Sequence, residues 1–186
     1  SDVIVDMLKA FEIEYIALNP GSSYRGLHDS LVNYGGDRMP EMILCPHEEI
    51  AVGVAHGYAR AKGKPMAAAV HNVVGLQHAS MAIYNAWCDR TPVMVMGGTG
   101  PMNSSKRRPW IDWIHTAQVQ GNIVRDFVKW DDQPFGVEAI PSSMMRGYRI
   151  AMSDPAGPVY LCFDVTDQES AIEKEIPLPD PKRFRP

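Results

Sequence analysis

Cys45-Pro46-His47-Glu48-Glu49-Ile50-Ala51-Val52-Gly53-Val54-Ala55-His56-Gly57-Tyr58-Ala59-Arg60-Ala61-Lys62-Gly63-Lys64-Pro65 decides how the rest of the chain is read. The pattern predicts one helix. Pro46 marks its approach, and Glu48 and Glu49 fall in a first turn, where carboxylates suit the positive end of the dipole. Lys62 falls in the last turn, Gly63 suits the C-cap, and Pro65 prevents continuation. Gly53 and Gly57 each cost a helix about 1 kcal/mol against alanine, so close approach of another backbone is the expected reason for them.

The apolar runs Met42-Ile43-Leu44 before this helix and Met66-Ala67-Ala68-Ala69-Val70 after it read as buried strands. Glu48 then stands at a strand-to-helix turn, the edge where open parallel sheets bind ligands. Read by position alone, it is a solvated first-turn acid, and the rest of the chain has to argue otherwise.

Hydrophobic residues make up 45% of the 186, enough for one full-sized core. A net charge of −4 argues against nucleic acid as the main partner. No run approaches the roughly 18 apolar residues of a membrane span. Asp2, Asp6 and Lys9 interrupt the opening, unlike a signal peptide. Cys45, Cys88 and Cys162 are widely spaced and odd in number, which fits buried free thiols and a cytoplasmic location. Cys45 lies beside the candidate site, but its neighbours form no local nucleophile pattern. The chain starts without Met and ends in prolines, so it reads as a piece of something longer.

Residues 2–11 show helical spacing, and Tyr15–Leu18 a short strand. Asn19-Pro20-Gly21-Ser22 is a turn, and Ser22 or Ser23 caps a helix reaching Tyr34 before Gly35-Gly36. After the strand at 66–70, His71-Asn72-Val73-Val74-Gly75 is a turn, 76–88 a helix and 92–96 a strand. A loop over 97–109, a helix near 115–125, a strand at 127–130, a helix at 137–153 and a strand at 158–163 complete the pattern. From Thr166 the chain turns polar, punctuated by Pro177, Pro179, Pro181 and Pro186, so 1–165 reads as the domain and 166–186 as a linker. Alternating strands and helices predict an α/β fold: an open, mainly parallel six-stranded sheet with helices on both faces.

In such a sheet the turns at Asn19–Ser22, His47–Glu48 and His71–Gly75 share one rim. They gather a hydroxyl, a carboxylate, an imidazole and glycine-opened backbone, a cluster suited to acid–base work. Taken alone, Ser22 reads as a helix cap and His71 as a hydrogen-bonded histidine at a strand end; their convergence with Glu48 in one crevice weakens both readings. Other motifs do not match. Gly97-Gly98-Thr99-Gly100 lacks the dinucleotide spacing, and His47-Glu48-Glu49-Ile50-Ala51 is not H-E-x-x-H. No metal ligands are assigned in this chain.

Pro46-His47-Glu48-Glu49, followed by Gly57-Tyr58-Ala59-Arg60-Ala61 and Gly63-Lys64-Pro65, resembles the pyrimidine-binding domain of thiamine-diphosphate-dependent enzymes. Acetolactate synthase, pyruvate decarboxylase and benzoylformate decarboxylase belong to that family. The resemblance implies that Glu48 hydrogen-bonds N1′ of the cofactor's aminopyrimidine. A carboxyl group sharing that proton favours the imino tautomer, whose exocyclic nitrogen removes the proton from thiazolium C2. The cofactor then serves as electron sink for a 2-oxo acid.

Asn19-Pro20-Gly21-Ser22 resembles the benzoylformate-decarboxylase turn, which implies that Ser22 meets the substrate carboxylate. His71 matches that enzyme's active-site histidine in a proton-transfer role. Val74 falls where relatives pack an apolar residue on the pyrimidine face, and the resemblance further implies cofactor contacts from Gly75 and from Asn19, Pro20 and Gly21, while Gln77-His78 departs from both family patterns. The metal-diphosphate motif Gly-Asp-Gly with a downstream Asn does not occur. The resemblance therefore implies that another domain holds the diphosphate and magnesium. It further implies a site between subunits of a homodimer or homotetramer. The reading is a 2-oxo acid decarboxylase or carboligase domain. An acetolactate-synthase-like carboligase and a non-catalytic nucleotide-binding or interaction domain stand as alternatives.

Overall fold

The computed structural model describes residues 1–184; Pro186, counted above among the tail prolines, lies outside them. Helix α1 (Asp2–Ala10) leads into strand β1 (Tyr15–Leu18). The next helical run changes pitch twice, through a 3-10 turn at Ser22–Tyr24, α2 (Arg25–Asp29) and a π turn at Ser30–Tyr34. It stops at Gly35-Gly36, where Gly36 takes a φ of +67°. There follow β2 (Glu41–Leu44), α3 (Glu48–Lys62), β3 (Met66–Val70), α4 (Val74–Cys88) and β4 (Val93–Thr99). The chain continues through α5 (Ile111–Ile114), β5 (Asp131–Asp132), α6 (Ile140–Met152), β6 (Val159–Asp164) and α7 (Val165–Glu169).

Among the described residues six strands form one sheet in the order β2-β1-β3-β4-β6-β5, and every pairing is parallel. Alternate side chains serve opposite faces. Ile16, Leu18, Met94, Met96, Leu161 and Phe163 pack with α1 and α6. Ala17, Ala68, Val70, Val95, Tyr160 and Cys162 pack with α3 and α4. The strand order reverses between β1 and β3, so the turns after these strands part to opposite faces. That divergence opens a crevice at their carboxyl ends.

The predicted bounds of α3 hold. His47 is its N-cap, with Nδ1 accepting the Glu49 N–H at 3.2 Å, and Gly63 is its left-handed C-cap. The expected reason for its glycines does not hold within this chain. Ala51, Ala55 and Ala59 form the buried stripe, whereas a Cβ at Gly53 or Gly57 would meet nothing within 4 Å.

Three local expectations are corrected. Gly97 and Gly98 belong to β4, not to a loop. A Cβ at Gly97 would collide with the Tyr160 hydroxyl, and one at Gly98 with the Ser23 carbonyl, so the glycines serve close approach. The helix near 115–125 is absent. Two 3-10 turns, Gln120–Ile123 and Arg125–Phe127, stand there because Gln120 is drawn into the interior. The strand expected at 127–130 lies further on, at Asp131–Asp132. Cys45 and Cys162 are buried free thiols, but Cys88 is exposed. The first residues of the polar tail form α7, whose Gln168 is buried and donates to the carbonyls of Ser23 at 2.9 Å and Phe163 at 3.0 Å. No helix among the described residues is long and apolar enough to cross a membrane.

Candidate active site

The three turns meet at the rim. Glu48 opens α3 and is only 5% exposed. A Cβ on Gly75 would stand 2.8 Å from Glu48 Oε1 and 3.0 Å from the Cβ of His71. A Cβ on Gly21 would stand 2.9 Å from Nδ1 of His71. Both glycines therefore leave room for a carboxylate and an imidazole that a larger residue would displace. The structure brings Glu48, His71, Gly21 and Gly75 together.

The turn at Asn19-Pro20-Gly21 is held by Tyr24, whose buried hydroxyl donates to the Asn19 carbonyl. Burial and then the nearby Glu48 charge push that phenol well above its ordinary range. Ser22 is exposed at the rim. The serine that contacts His71 is the next one: Ser23 Oγ lies 3.0 Å from Nδ1 and accepts the Asn72 N–H at 3.0 Å. Burial lowers the His71 pKa, the neighbouring His115 lowers it further, and Glu48 opposes both. Burial raises that of Cys45, so its thiol is the neutral form.

Residues 72–74 make a tight, strained turn. Val73 takes φ 49° and ψ −71°, a rare conformation for a β-branched residue. Val74 N–H donates to the Asn72 carbonyl at 2.6 Å. Gln120, fully buried, braces the turn: its Oε1 accepts the Val73 N–H at 2.9 Å and its Nε2 donates to the Gly98 carbonyl at 3.0 Å. Val74 is exposed at the start of α4, on the open side of the rim. Asn72 Oδ1 is buried and has no partner among the described residues.

Sequence reasoning missed Ser23, Gln120 and two histidines flanking Glu48. His78 Nδ1 approaches Glu48 Oε2 at 3.4 Å, and the His47 ring stacks on His78 with centroids 4.7 Å apart. Only the departure of Gln77-His78 from the family patterns hinted at this. The rim itself is open. A cleft of about 880 Å³ lies elsewhere, between α6 and Pro177–Pro179.

Comparison with known proteins places the chain in a family. The family described as thiamine pyrophosphate enzyme, N-terminal TPP binding domain, matches residues 1–126, and the chain belongs to it. It is 30% identical over 159 residues to the acetolactate synthase large subunit of Haemophilus influenzae, covering 86% of this chain and 26% of that protein. It is 26% identical over 125 residues to the benzoylformate decarboxylase of Pseudomonas aeruginosa, covering 67% of this chain and 23% of that protein. The solved benzoylformate decarboxylase of Polynucleobacter necessarius superposes with a TM-score of 0.77 at 25% identity, over 96% of this chain and 32% of the other. The chain thus spans about a quarter of the length of the curated relatives it matches.

Proposed function

We propose that this domain supplies the carboxylate that activates thiamine diphosphate in a 2-oxo acid decarboxylase or carboligase. The observation that carries the reading is Glu48: a buried acid at a helix start, beside Gly75, where even a Cβ would come within 2.8 Å of its oxygen. The residues present fit the cofactor's pyrimidine half. Glu48 would accept or share a proton at N1′, and Gly75 would let the ring approach. Val74 would cover its apolar face, while the Asn19-Pro20-Gly21 turn would border it. When bound, the cofactor supplies a carbanion-stabilising electron sink.

Around it, His71 would move a proton at Nε2, since its Nδ1 faces Ser23. Its lowered pKa keeps the ring neutral near pH 7, and with Nδ1 accepting from Ser23 the proton it can pass on is the one at Nε2. Ser22, exposed at the rim, would donate to a substrate carboxylate. The strained turn at Val73, braced by Gln120, would hold His71 and Val74 at fixed positions. Residues 1–165 together with the docked α7 would form the functional unit, with the chain after Glu169 leading toward a middle domain.

The diphosphate and magnesium fall to a domain outside this chain, and the open rim suits completion by a second subunit of a homodimer or homotetramer. Ile50, Val54, Met81, Tyr84 and Trp87 are exposed on α3 and α4, an apolar surface for that contact. Free thiols fit the reducing cytoplasm. A second reading, an acetolactate-synthase-like carboligase, is favoured by the longer match to the Haemophilus protein.

The test is the full-length protein with thiamine diphosphate, magnesium and a panel of 2-oxo acids, with carbon dioxide, aldehyde and hydroxyketone measured separately. Cofactor-dependent carbon dioxide release supports the proposal, and the ratio of aldehyde to hydroxyketone separates its two forms. A folded protein that binds the cofactor and consumes no 2-oxo acid overturns it.

A further inference from the structure

His47, Glu48 and His78 each bring one ligand atom to within 4.8 Å of the other two. Two of them come from the start of α3 and the third from α4, so the tertiary fold, not a sequence motif, assembles the group. From this arrangement we infer a binding site for a divalent transition-metal ion of the zinc type, formed by two imidazoles and one carboxylate.

The donor set selects the ion. Imidazole suits zinc, copper, nickel and cobalt, whereas magnesium demands oxygen ligands, so magnesium would not compete. Three protein ligands with an open fourth position is the arrangement of an accessible zinc site. Metal–nitrogen and metal–oxygen bonds of about 2.0–2.2 Å place tetrahedral ligands roughly 3.4 Å apart. From 4.8 Å the most distant pair therefore closes by at most about 1.4 Å. His78 can supply that movement, because its side chain is 48% exposed whereas that of Glu48 is only 6% exposed.

Two terms oppose the ion. The positive end of the α3 dipole repels a cation, although the carboxylates of Glu48 and Glu49 lie in that first turn and offset it. His47 Nδ1 already accepts the Glu49 N–H. Binding through Nδ1 takes that lone pair, and binding through Nε2 moves the ring proton to Nδ1, so either route gives up the cap. The site is consequently one of moderate affinity, filled reversibly.

Its consequence rests on the function proposed above. An ion on Glu48 takes up the negative charge that a proton shared with the aminopyrimidine needs, so metal and cofactor compete and the ion acts as a reversible inhibitor.

The binding test uses this chain, titrated with zinc(II) by calorimetry and with cobalt(II) by visible absorption. We expect one ion per chain. His78→Asn and His47→Asn should each weaken binding at least about tenfold, the low end of what the loss of an outer-shell partner alone costs. Asparagine at 47 is a good N-cap, so that variant removes the ligand while preserving the helix start. His28→Ala and His56→Ala should change nothing. Absence of stoichiometric binding overturns the site. So does binding that survives both asparagine variants, or that is lost equally with the two control histidines.

A second measurement uses the full-length enzyme with magnesium in excess. Zinc should raise the thiamine diphosphate concentration needed for activity in the wild type but not in His78→Asn. Metal binding to the chain without such competition leaves the metal site standing and counts against Glu48 as the pyrimidine ligand.

Discussion

The Ser23 hydroxyl stands 3.0 Å from Nδ1 of His71 while also accepting the backbone N–H of Asn72 at 3.0 Å. His71 Nδ1 is the one acceptor in reach of the Ser23 hydroxyl among the described residues, so the hydroxyl's own proton points to the ring. Nδ1 is then an acceptor, and the neutral imidazole carries its proton on Nε2. Nitrogen chemical shifts of His71 should report the Nε2–H tautomer at neutral pH. A protonated Nδ1 in the neutral ring would reverse this assignment. Ser23→Ala should cost about 1–3 kcal/mol in denaturant unfolding, because it strands the buried Asn72 N–H.

The same ring gives the fold a pH dependence. Its pKa drops below the ordinary 6.5 in the folded chain, mainly through burial, then through His115, with Glu48 opposing. The folded state therefore binds fewer protons than the unfolded state near pH 6, and stability rises with pH there. The contribution of His71 is complete above about pH 6.5 and is lost as pH falls toward the folded value. Thermal midpoints measured between pH 7 and pH 5 should fall more steeply for the wild type than for His71→Gln. Equal slopes, or a steeper variant, would remove His71 from the titrating set.

Two glycines of similar appearance in the sequence should respond in opposite directions. Gly75→Ala drives a methyl group toward Glu48 Oε1 and the His71 Cβ, at 2.8 Å and 3.0 Å, and should destabilise by about 1–3 kcal/mol. Gly57→Ala adds a methyl where nothing lies within 4 Å, and should stabilise the isolated chain by roughly 0.8–1 kcal/mol. Denaturant midpoints of the two variants decide this. Stabilisation by Gly75→Ala would mean that the carboxylate is not confined as described.

Much of this site was legible because its parts obey local rules. Glu48 at the start of α3, Gly63 at its end and the turns after β1 and β3 follow from caps, dipole and strand composition. The Ser23 contact with His71 was not legible, because adjacent residues in a 3-10 turn differ only in which way they face, and tertiary packing sets that. Gln120 and His78 were missed for the same reason: their partners lie 22, 47 and 30 positions away in sequence. Gly97 and Gly98 resembled a loop, since nothing local tells a flexible glycine from one that makes room for Tyr160 or Ser23. β5 was misplaced because a two-residue strand carries no periodicity.

The central claim is that Glu48 shares the pyrimidine proton. Glutamine keeps the shape of the side chain but cannot share that proton. Hydrogen–deuterium exchange at cofactor C2 in the full-length holoenzyme, quenched in acid and read by NMR, measures that function without dependence on the substrate. The account predicts that Glu48→Gln slows exchange by at least about 10²-fold, the low end for a positioned acid–base group, with the fold retained. Unchanged exchange would contradict it and shift the role to the exposed Glu49.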